Sequence, residues 1–182
     1  SDAGDVLVFL AGAAEIRRVA TALGDVPADV DVVPLHGSLP PAEQDRALAP
    51  SPPGRRRVVL ATDIAESSLT VDGVRAVVDA GRVRRPRYDA HSGLSRLHTQ
   101  TASQAAAEQR AGRAGRLGPG VAYRLWSAAE HGQRRAHPEP EIRHADLAGL
   151  VLELAVWGAP VDQLSFLAPP PPTALAGAHR LL

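Results

Sequence analysis

The chain has 182 residues, 45% of them hydrophobic and 3% aromatic, which is enough for one full domain with an aliphatic core plus a fragment. It has no cysteine and no lysine, which excludes disulfides, thiolate metal sites and any phosphate-loop or Schiff-base lysine. The formal net charge is +0, so the overall charge gives no argument for a nucleic-acid partner.

Apolar runs and amphipathic segments alternate along the first part of the chain. The runs predict strands at 6–10, 30–35, 57–61, 74–79 and 121–126. Helices are predicted at 14–23 and 41–48, and a third begins after Ser103, which is a suitable N-cap. Strands that alternate with helices predict a parallel sheet of the α/β class.

The sequence changes character twice in its second half. Two arms that carry five arginines flank residues 89–93, which predicts a projecting hairpin over 82–99. Beyond residue 127 the chain is polar, and an apolar-periodic helix is predicted at 146–156. We place a domain boundary near 127–140 and divide the chain into 1–130 and 131–182, the second part being too short for a core of its own.

Arginines recur every third residue in the stretch Gln109–Arg116, with two glycines between them. On a helix with about 100° per residue, Gln109, Arg113 and Arg116 share one face. The guanidinium fork of arginine matches phosphate oxygens, and glycines let another surface approach closely. The stripe therefore suits stabilising phosphate charge and orienting a water molecule. The alternative is a solvated basic helix face.

A second polar stretch follows the predicted strand at 57–61. Hydroxyl and carboxylate side chains crowd residues 62–73, and ligands of parallel α/β sheets bind where strands end. Neutral hydroxyls and backbone N–H groups can hold phosphate or ribose without a strong positive field. The alternative for this stretch is a hydroxyl-rich cap and turn.

Together the two stretches resemble motifs V and VI of the DEAH-box subgroup of superfamily 2 helicases, and the motif VI match is complete. VLVFLAGAAEI at 6–16 resembles motif IV, and LHGSLPPAEQ at 35–44 resembles the segment that follows it. Residues 94–97 and the loop before them look most like the bacterial HrpB branch. The resemblance covers residues 5–182 and implies the second RecA-like lobe of the motor, followed by the start of a winged-helix domain.

The resemblance implies a role for each matching residue on the nucleotide side. Arg113 and Arg116 are expected to be arginine fingers that reach the γ-phosphate, and Gln109 is expected to position the attacking water. Ser68 is expected to sense the γ-phosphate, while Thr70 and Asp72 contact the ribose.

It also implies contacts with the backbone of single-stranded RNA. These contacts are expected at four residues of three loops: Gly12, Ser38, Leu39 and Thr62. Asp63 stands where the family usually has asparagine. A carboxylate there removes an amide donor and adds a negative charge beside an RNA phosphate, so we expect a weaker contact.

The chain lacks one half of an ATP site. It has no G-x-x-x-x-G-K-[ST] phosphate loop and no Asp-Glu pair after an apolar strand. The resemblance then implies that ATP and Mg²⁺ are held mainly by a first RecA-like lobe of the same parent protein. We predict that this chain alone does not hydrolyse ATP, and that it is a monomer. A ring-forming ATPase module with fingers acting between subunits, and a non-catalytic RNA-binding scaffold, remain as alternatives.

No segment predicts a membrane or secreted protein. No apolar run approaches about 18 residues, the length of a membrane span. The first residues lack the basic and apolar regions of a signal peptide. We therefore expect a cytoplasmic protein and, because no initiating Met is present, a piece of a longer one. The 7 histidines show no metal-ligand spacing, so we expect no metal ligands among them.

Overall fold

The computed structural model describes residues 4–67, 69–89, 92–116 and 118–181, which form two compact units. The first unit comprises residues 1–84 and 99–138, and the second comprises 85–98 and 139–182. The strands are β1 (Asp5–Phe9), β2 (Val30–Leu35), β3 (Arg56–Ala61), β4 (Val74–Asp79), β5 (Arg82–Asp89), β6 (Leu94–Thr101) and β7 (Val121–Arg124). The helices are α1 (Ala13–Leu23), α2 (Pro41–Leu48), α3 (Ile64–Ser67), α4 (Gln104–Gly112), α5 (Ala128–Gly132), α6 (Ala148–Trp157) and α7 (Pro172–His179).

The first unit is built on a five-stranded parallel sheet in the order β2-β3-β1-β4-β7. Successive side chains of a strand point to opposite faces, so the inner strands β1 and β3 contribute to two cores. Phe9 and Val59 pack on one face with α2 and α3, whereas Val8 and Leu60 pack on the other with Ile16 of α1. The predicted α/β class with a parallel sheet is confirmed.

The predicted hairpin is a two-stranded ribbon formed by β5 and β6. A small apolar cluster of Val83, Ala102 and Ala106 lies where the ribbon leaves the sheet and joins it to α4. Arg134 reinforces this base, because its Nη1 donates to the carbonyl oxygens of Gly81 (2.9 Å) and Ala102 (3.0 Å).

The helices of the second unit pack through a small apolar cluster. Leu147 and Val151 of the α6 segment pack against Ala178 of α7. The opposite side of α6 leaves Val156 and Trp157 exposed. Within the part of the chain that the structure describes, no helix combines the length and apolar character of a transmembrane span.

Helix α4 is shorter than the arginine pattern predicts. It ends at Gly112, Arg113 is its C-cap residue (φ −66°, ψ −31°), and the next residues form a turn. Gln109, Arg113 and Arg116 therefore do not share a face of one continuous helix, and that prediction is wrong. Glycine is a poor helix former, so Gly112 and Gly115 favour the end of the helix at this point. Beyond it, Arg113 and Arg116 bond to residues of the segment that follows β3.

Candidate functional site

Three arginines bind in chain order along a single stretch that follows β3. Arg110 donates from Nε to the Glu66 carboxylate (2.9 Å), and Arg113 donates from Nε to the Glu66 carbonyl oxygen (3.0 Å). Arg116 donates from Nη1 to Oγ1 of Thr70 (3.1 Å). We call residues 66–70 the acceptor segment. The two stretches singled out in the sequence, 62–73 and 109–116, thus lie side by side in the first unit.

Arg113 makes several hydrogen bonds to the acceptor segment. Its Nη2 also donates to the carbonyl oxygen of Glu66, and its Nη1 donates to that of Leu69 (3.3 Å). Burial lowers the pKa of the Arg113 guanidinium from its ordinary value, and the neighbouring charge of Arg116 lowers it further. An arginine starts from a pKa so high that it stays charged, so the lowered pKa marks a cation partly withdrawn from water.

Arg116 and Gln109 are more accessible than Arg113. Both side chains are exposed, and the hydrogen bond to Thr70 is the link that holds Arg116 to the acceptor segment. A Cβ added at Gly112 or Gly115 would meet no atom within 4 Å among the described residues. Among the described residues of the first unit, none packs on the two glycines, so the exposed Gln109 and Arg116 beside them are open to an approaching group.

Arg110 is the residue that sequence reasoning missed. Its side chain has 0% exposure and also donates to Oδ1 of Asp79 at 2.8 Å. Its guanidinium lies 4.9 Å from the centre of the Phe9 ring. The signal was present in the sequence, because Ser103, Ala106, Ala107 and Arg110 recur at helical spacing and form the buried face of α4.

A second group of predicted site residues lies along one edge of the sheet. Because β1, β2 and β3 are parallel neighbours, the loops that follow them emerge at the same edge. These loops carry Gly12 after β1, Ser38 and Leu39 after β2, and Thr62 and Asp63 after β3. Backbone hydrogen bonds join the loops at their starts, from Thr62 N to Leu35 O (3.1 Å) and from Leu10 N to Ala61 O (2.8 Å).

The residues of these loops differ in exposure and in hydrogen bonding. Ser38 is exposed and its Oγ lies 2.9 Å from Nδ1 of His36, while the carbonyl oxygen of Leu39 accepts from Gln44 (2.9 Å). Gly12 is buried at the start of α1, and a Cβ there would lie 3.0 Å from Cδ of Arg84. Glycine at this position therefore allows the ribbon side chain to approach the helix start.

Two further predicted residues are Ser68 and Asp72, of which the structure describes Asp72. Ser68 is outside the described residues. Asp72 is exposed, and its backbone carbonyl oxygen accepts from Nη2 of the buried Arg57 (3.1 Å). This bond fixes the backbone after Thr70, and it leaves the Asp72 carboxylate on the surface.

Comparison with known proteins gives one consistent result. Residues 1–118 match the family described as the helicase conserved C-terminal domain. The chain is 46% identical to the ATP-dependent RNA helicase HrpB of Escherichia coli K12 over 100% of this chain and 23% of that protein. It is 44% identical to the human protein named probable ATP-dependent RNA helicase DHX34, over 96% of this chain and 16% of that protein.

Solved structures agree with these sequence matches. The chain superposes on a crystal structure of the Escherichia coli DEAH/RHA helicase HrpB with a TM-score of 0.93 and 47% identity. That match covers 99% of this chain and 23% of the solved one. The chain thus spans less than a quarter of each of these relatives.

Proposed function

Because the chain belongs to the helicase conserved C-terminal domain family, we propose that it is the C-terminal motor lobe of an ATP-dependent RNA helicase. The observation that carries this proposal is the binding of three successive arginines along the acceptor segment. At the end of that array Arg116 and the Thr70 hydroxyl are exposed, which suits contact with a nucleotide approached from outside the lobe.

Each side chain has a distinct part in this proposal. Arg116, exposed and held by one hydroxyl, swings from Thr70 to the γ-phosphate. Arg113 keeps its Nε bond to the Glu66 carbonyl oxygen while its terminal nitrogens turn to phosphate oxygens. Gln109 orients the attacking water, and Ser68 senses the γ-phosphate. Thr70 and Asp72 contact the ribose. ATP, as its Mg²⁺ complex, would supply the phosphoanhydride bond that is cleaved: water adds to the γ-phosphorus, and ADP is the leaving group.

The nucleotide cradle belongs to another lobe of the same parent protein. The chain contains no lysine, so it cannot supply the lysine of a phosphate loop. The described residues nevertheless fit one side of such a site, because Arg116 is exposed and paired only through a neutral hydroxyl in the contacts described here. Residues 1–130 form the RecA-like lobe in this proposal, and residues 131–182 begin the winged-helix domain.

RNA crosses the edge of the sheet in the same proposal. Gly12, Ser38, Leu39 and Thr62 contact the backbone of a single strand, with Asp63 as the weaker member. Neutral polar groups and backbone N–H groups suit this role, since phosphate contacts fix position without reading sequence. Closure of the lobes on ATP and their release after hydrolysis then move the strand in steps.

The decisive experiment replaces Arg116 by alanine in the full-length protein. RNA-stimulated ATPase activity should fall about 10³- to 10⁵-fold, because an arginine finger is worth that much in kcat. RNA affinity should stay unchanged. Arg124→Ala is the matched control, because Arg124 pairs only with the exposed Glu108 in the bonds described here. Ordinary turnover in Arg116→Ala would refute the finger assignment and with it the proposed function.

The isolated chain provides a second test. A phosphate-release assay on this chain alone should show no ATP turnover above background, because the phosphate loop is missing. Light scattering should give the mass of a monomer. A closed ring would instead favour fingers acting between subunits, and turnover by the isolated chain would overturn the division of the site between two lobes.

A further inference from the structure

Glu66 is bound at both of its ends. Its carboxylate accepts from Arg110 Nε (2.9 Å), and its backbone carbonyl oxygen accepts from Arg113 Nε (3.0 Å). The same residue therefore joins a fully buried arginine to a partly exposed one. Both contacts belong to one residue, so the bond that fixes the Glu66 carboxylate restrains the backbone from which the carbonyl oxygen reaches Arg113.

Arg110 is fixed on its other side by the sheet. Its Nη1 donates to Oδ1 of Asp79 (2.8 Å) and to the carbonyl oxygen of Arg82 (3.4 Å). Asp79 is the last residue of β4, and its Oδ1 also accepts from the backbone N of Gly81 (2.7 Å). Arg110 thus ties the acceptor segment to the end of a central strand and to the first residue of the ribbon.

We infer that Arg110 is a positioning residue, which aligns Arg113 through Glu66 and ties that alignment to the base of the ribbon. With 0% exposure, Arg110 cannot itself touch a nucleotide. The inference rests on the proposed function, since it assigns the arrangement of the fingers to a residue behind them.

Stability alone does not explain a buried arginine at this position. Replacing a buried ion pair by well-packed apolar residues is often neutral or stabilising, so such a pair is weak evidence for a stabilising role. Here the cluster is also incompletely paired: within the described residues, Arg110 Nη2 and Asp79 Oδ2 are buried without a hydrogen-bond partner. A group retained for packing would be satisfied or apolar. The planar guanidinium group of Arg110 holds the carboxylates of Glu66 and Asp79 at fixed positions, which suits an aligning role better than a stabilising one.

The test removes the link without unfolding the lobe. The Glu66 side chain is 12% exposed, so Glu66→Ala leaves Arg110 paired with Asp79 and opens only a small space. Glu66→Gln keeps the length and an oxygen that can accept from Arg110. Glu66→Asp keeps the charge but is one methylene too short to reach. Glu108→Ala is the control, since Glu108 is 65% exposed and pairs with one surface arginine.

ATPase kinetics of the full-length protein give the readout. In Glu66→Ala we expect kcat to fall about 10- to 100-fold, the effect of misplacing a reacting group by about 1 Å. The KM for ATP should stay within about twofold, because alignment acts on the transition state rather than on ground-state binding. Glu66→Gln should recover most of the turnover, Glu66→Asp should not, and Glu108→Ala should equal the parent protein.

Several outcomes would overturn the inference. The first is a Glu66→Ala protein that is folded, by its thermal midpoint, and retains the parent kcat. Another is a raised KM with unchanged kcat. If Glu66→Ala does not fold, the other two variants decide, and equal turnover in Glu66→Asp and Glu66→Gln contradicts alignment. Suppose that Arg116→Ala loses activity while Glu66→Ala keeps normal turnover. That result would refute the positioning role of Arg110 but would leave the proposed function standing.

Discussion

The Nε atom of Arg113 lies 3.0 Å from the backbone carbonyl oxygen of Glu66, and this bond distinguishes Arg113 from Arg116. Arg113 is half-buried, and its remaining nitrogens donate to the same oxygen and to Leu69. Arg116 is exposed and has a single side-chain hydroxyl, that of Thr70, as its described partner. Two arginines from one short motif therefore make different contributions to the folded lobe.

This difference predicts unequal effects on stability. Arg113→Ala should lower the free energy of unfolding of the isolated chain by about 1 to 2 kcal/mol, because it removes charge-assisted bonds to two partly buried carbonyls. Arg116→Ala should change it by no more than about 0.5 kcal/mol, as for an exposed side chain. Urea titration followed by circular dichroism measures both values. Equal losses would contradict the assignment of a structural tie to Arg113 alone.

Local periodicity was sufficient to predict the strands and the class of the sheet. Val30–Leu35 and Val74–Asp79 lie where the sequence predicts them, because valines dominate both segments and favour a strand even beside Asp31 or Arg75. The last strand ends earlier than predicted, at Arg124, since Ser127 caps α5 three residues later. The strand order depends on pairing between distant segments, and periodicity carries no information about it.

The site was predicted in composition more accurately than in geometry. The sequence indicated that 62–73 and 109–116 matter, and they do lie together. It did not indicate that α4 ends at Gly112, because propensity alone cannot show how strongly Glu66 and Leu69 attract Arg113. Helical spacing places Arg110 on the buried face of α4, but a charged residue is almost never fully buried unless it is paired. Its partners are 44 and 31 positions away, so local sequence does not indicate the pairing.

A second buried arginine predicts a large stability effect at the start of β1. Asp5 accepts from Nη2 of Arg57 (2.7 Å), and both side chains are almost fully buried. Asp5→Ala should lower the free energy of unfolding by about 3 to 5 kcal/mol, because it leaves a buried guanidinium without its counter-charge. Thermal or urea unfolding of the isolated chain measures the loss.

Asp31 provides the control for that experiment. Its side chain is 41% exposed and pairs with Arg55, whose hydrogen bond lowers the pKa of the Asp31 carboxyl from its ordinary value. A lowered folded-state pKa means that this small contribution is present above the unfolded-state pKa and is lost as pH falls through the folded-state value. Asp31→Ala should therefore scarcely change unfolding at pH 7, and a loss matching that of Asp5→Ala would contradict the role of burial.

Gly81 is required for the packing at the base of the ribbon. Its φ is +68°, and a Cβ there would lie 2.5 Å from Nη2 of Arg134 and 2.7 Å from Cε3 of Trp126. Arg134 cannot yield easily, because its guanidinium lies 3.9 Å from the Trp126 ring and bonds two carbonyls. Gly81→Ala should lower the free energy of unfolding through two costs. Overpacking contributes about 1 to 3 kcal/mol and backbone strain about 1 to 2 kcal/mol.

The matched control is Gly54→Ala. Gly54 has a similar φ of +78°, but no described atom lies within 4 Å of an added Cβ. Gly54→Ala should therefore lower the free energy of unfolding only by the cost of backbone strain, about 1 to 2 kcal/mol. Gly81→Ala should also change the fluorescence of Trp126, which Gly54→Ala should leave alone. Equal destabilisation by the two substitutions would show that the contact with Arg134 and Trp126 costs nothing.

Asp63 offers a gain-of-function test of the proposed RNA edge. It follows Thr62 in the loop after β3, beside the loops that carry Ser38 and Gly12. Asp63→Asn introduces the amide donor that the resembling family has there and removes a negative charge from the proposed RNA edge. The full-length protein should bind single-stranded RNA about 3- to 10-fold more tightly, the yield of about 1 kcal/mol from one hydrogen bond.

Fluorescence anisotropy with a labelled oligonucleotide measures the affinity, and Asp162→Asn, in the second unit, serves as the control for lost charge. An equal gain in the control would assign the effect to overall charge, and no gain in Asp63→Asn would remove this loop from the RNA path.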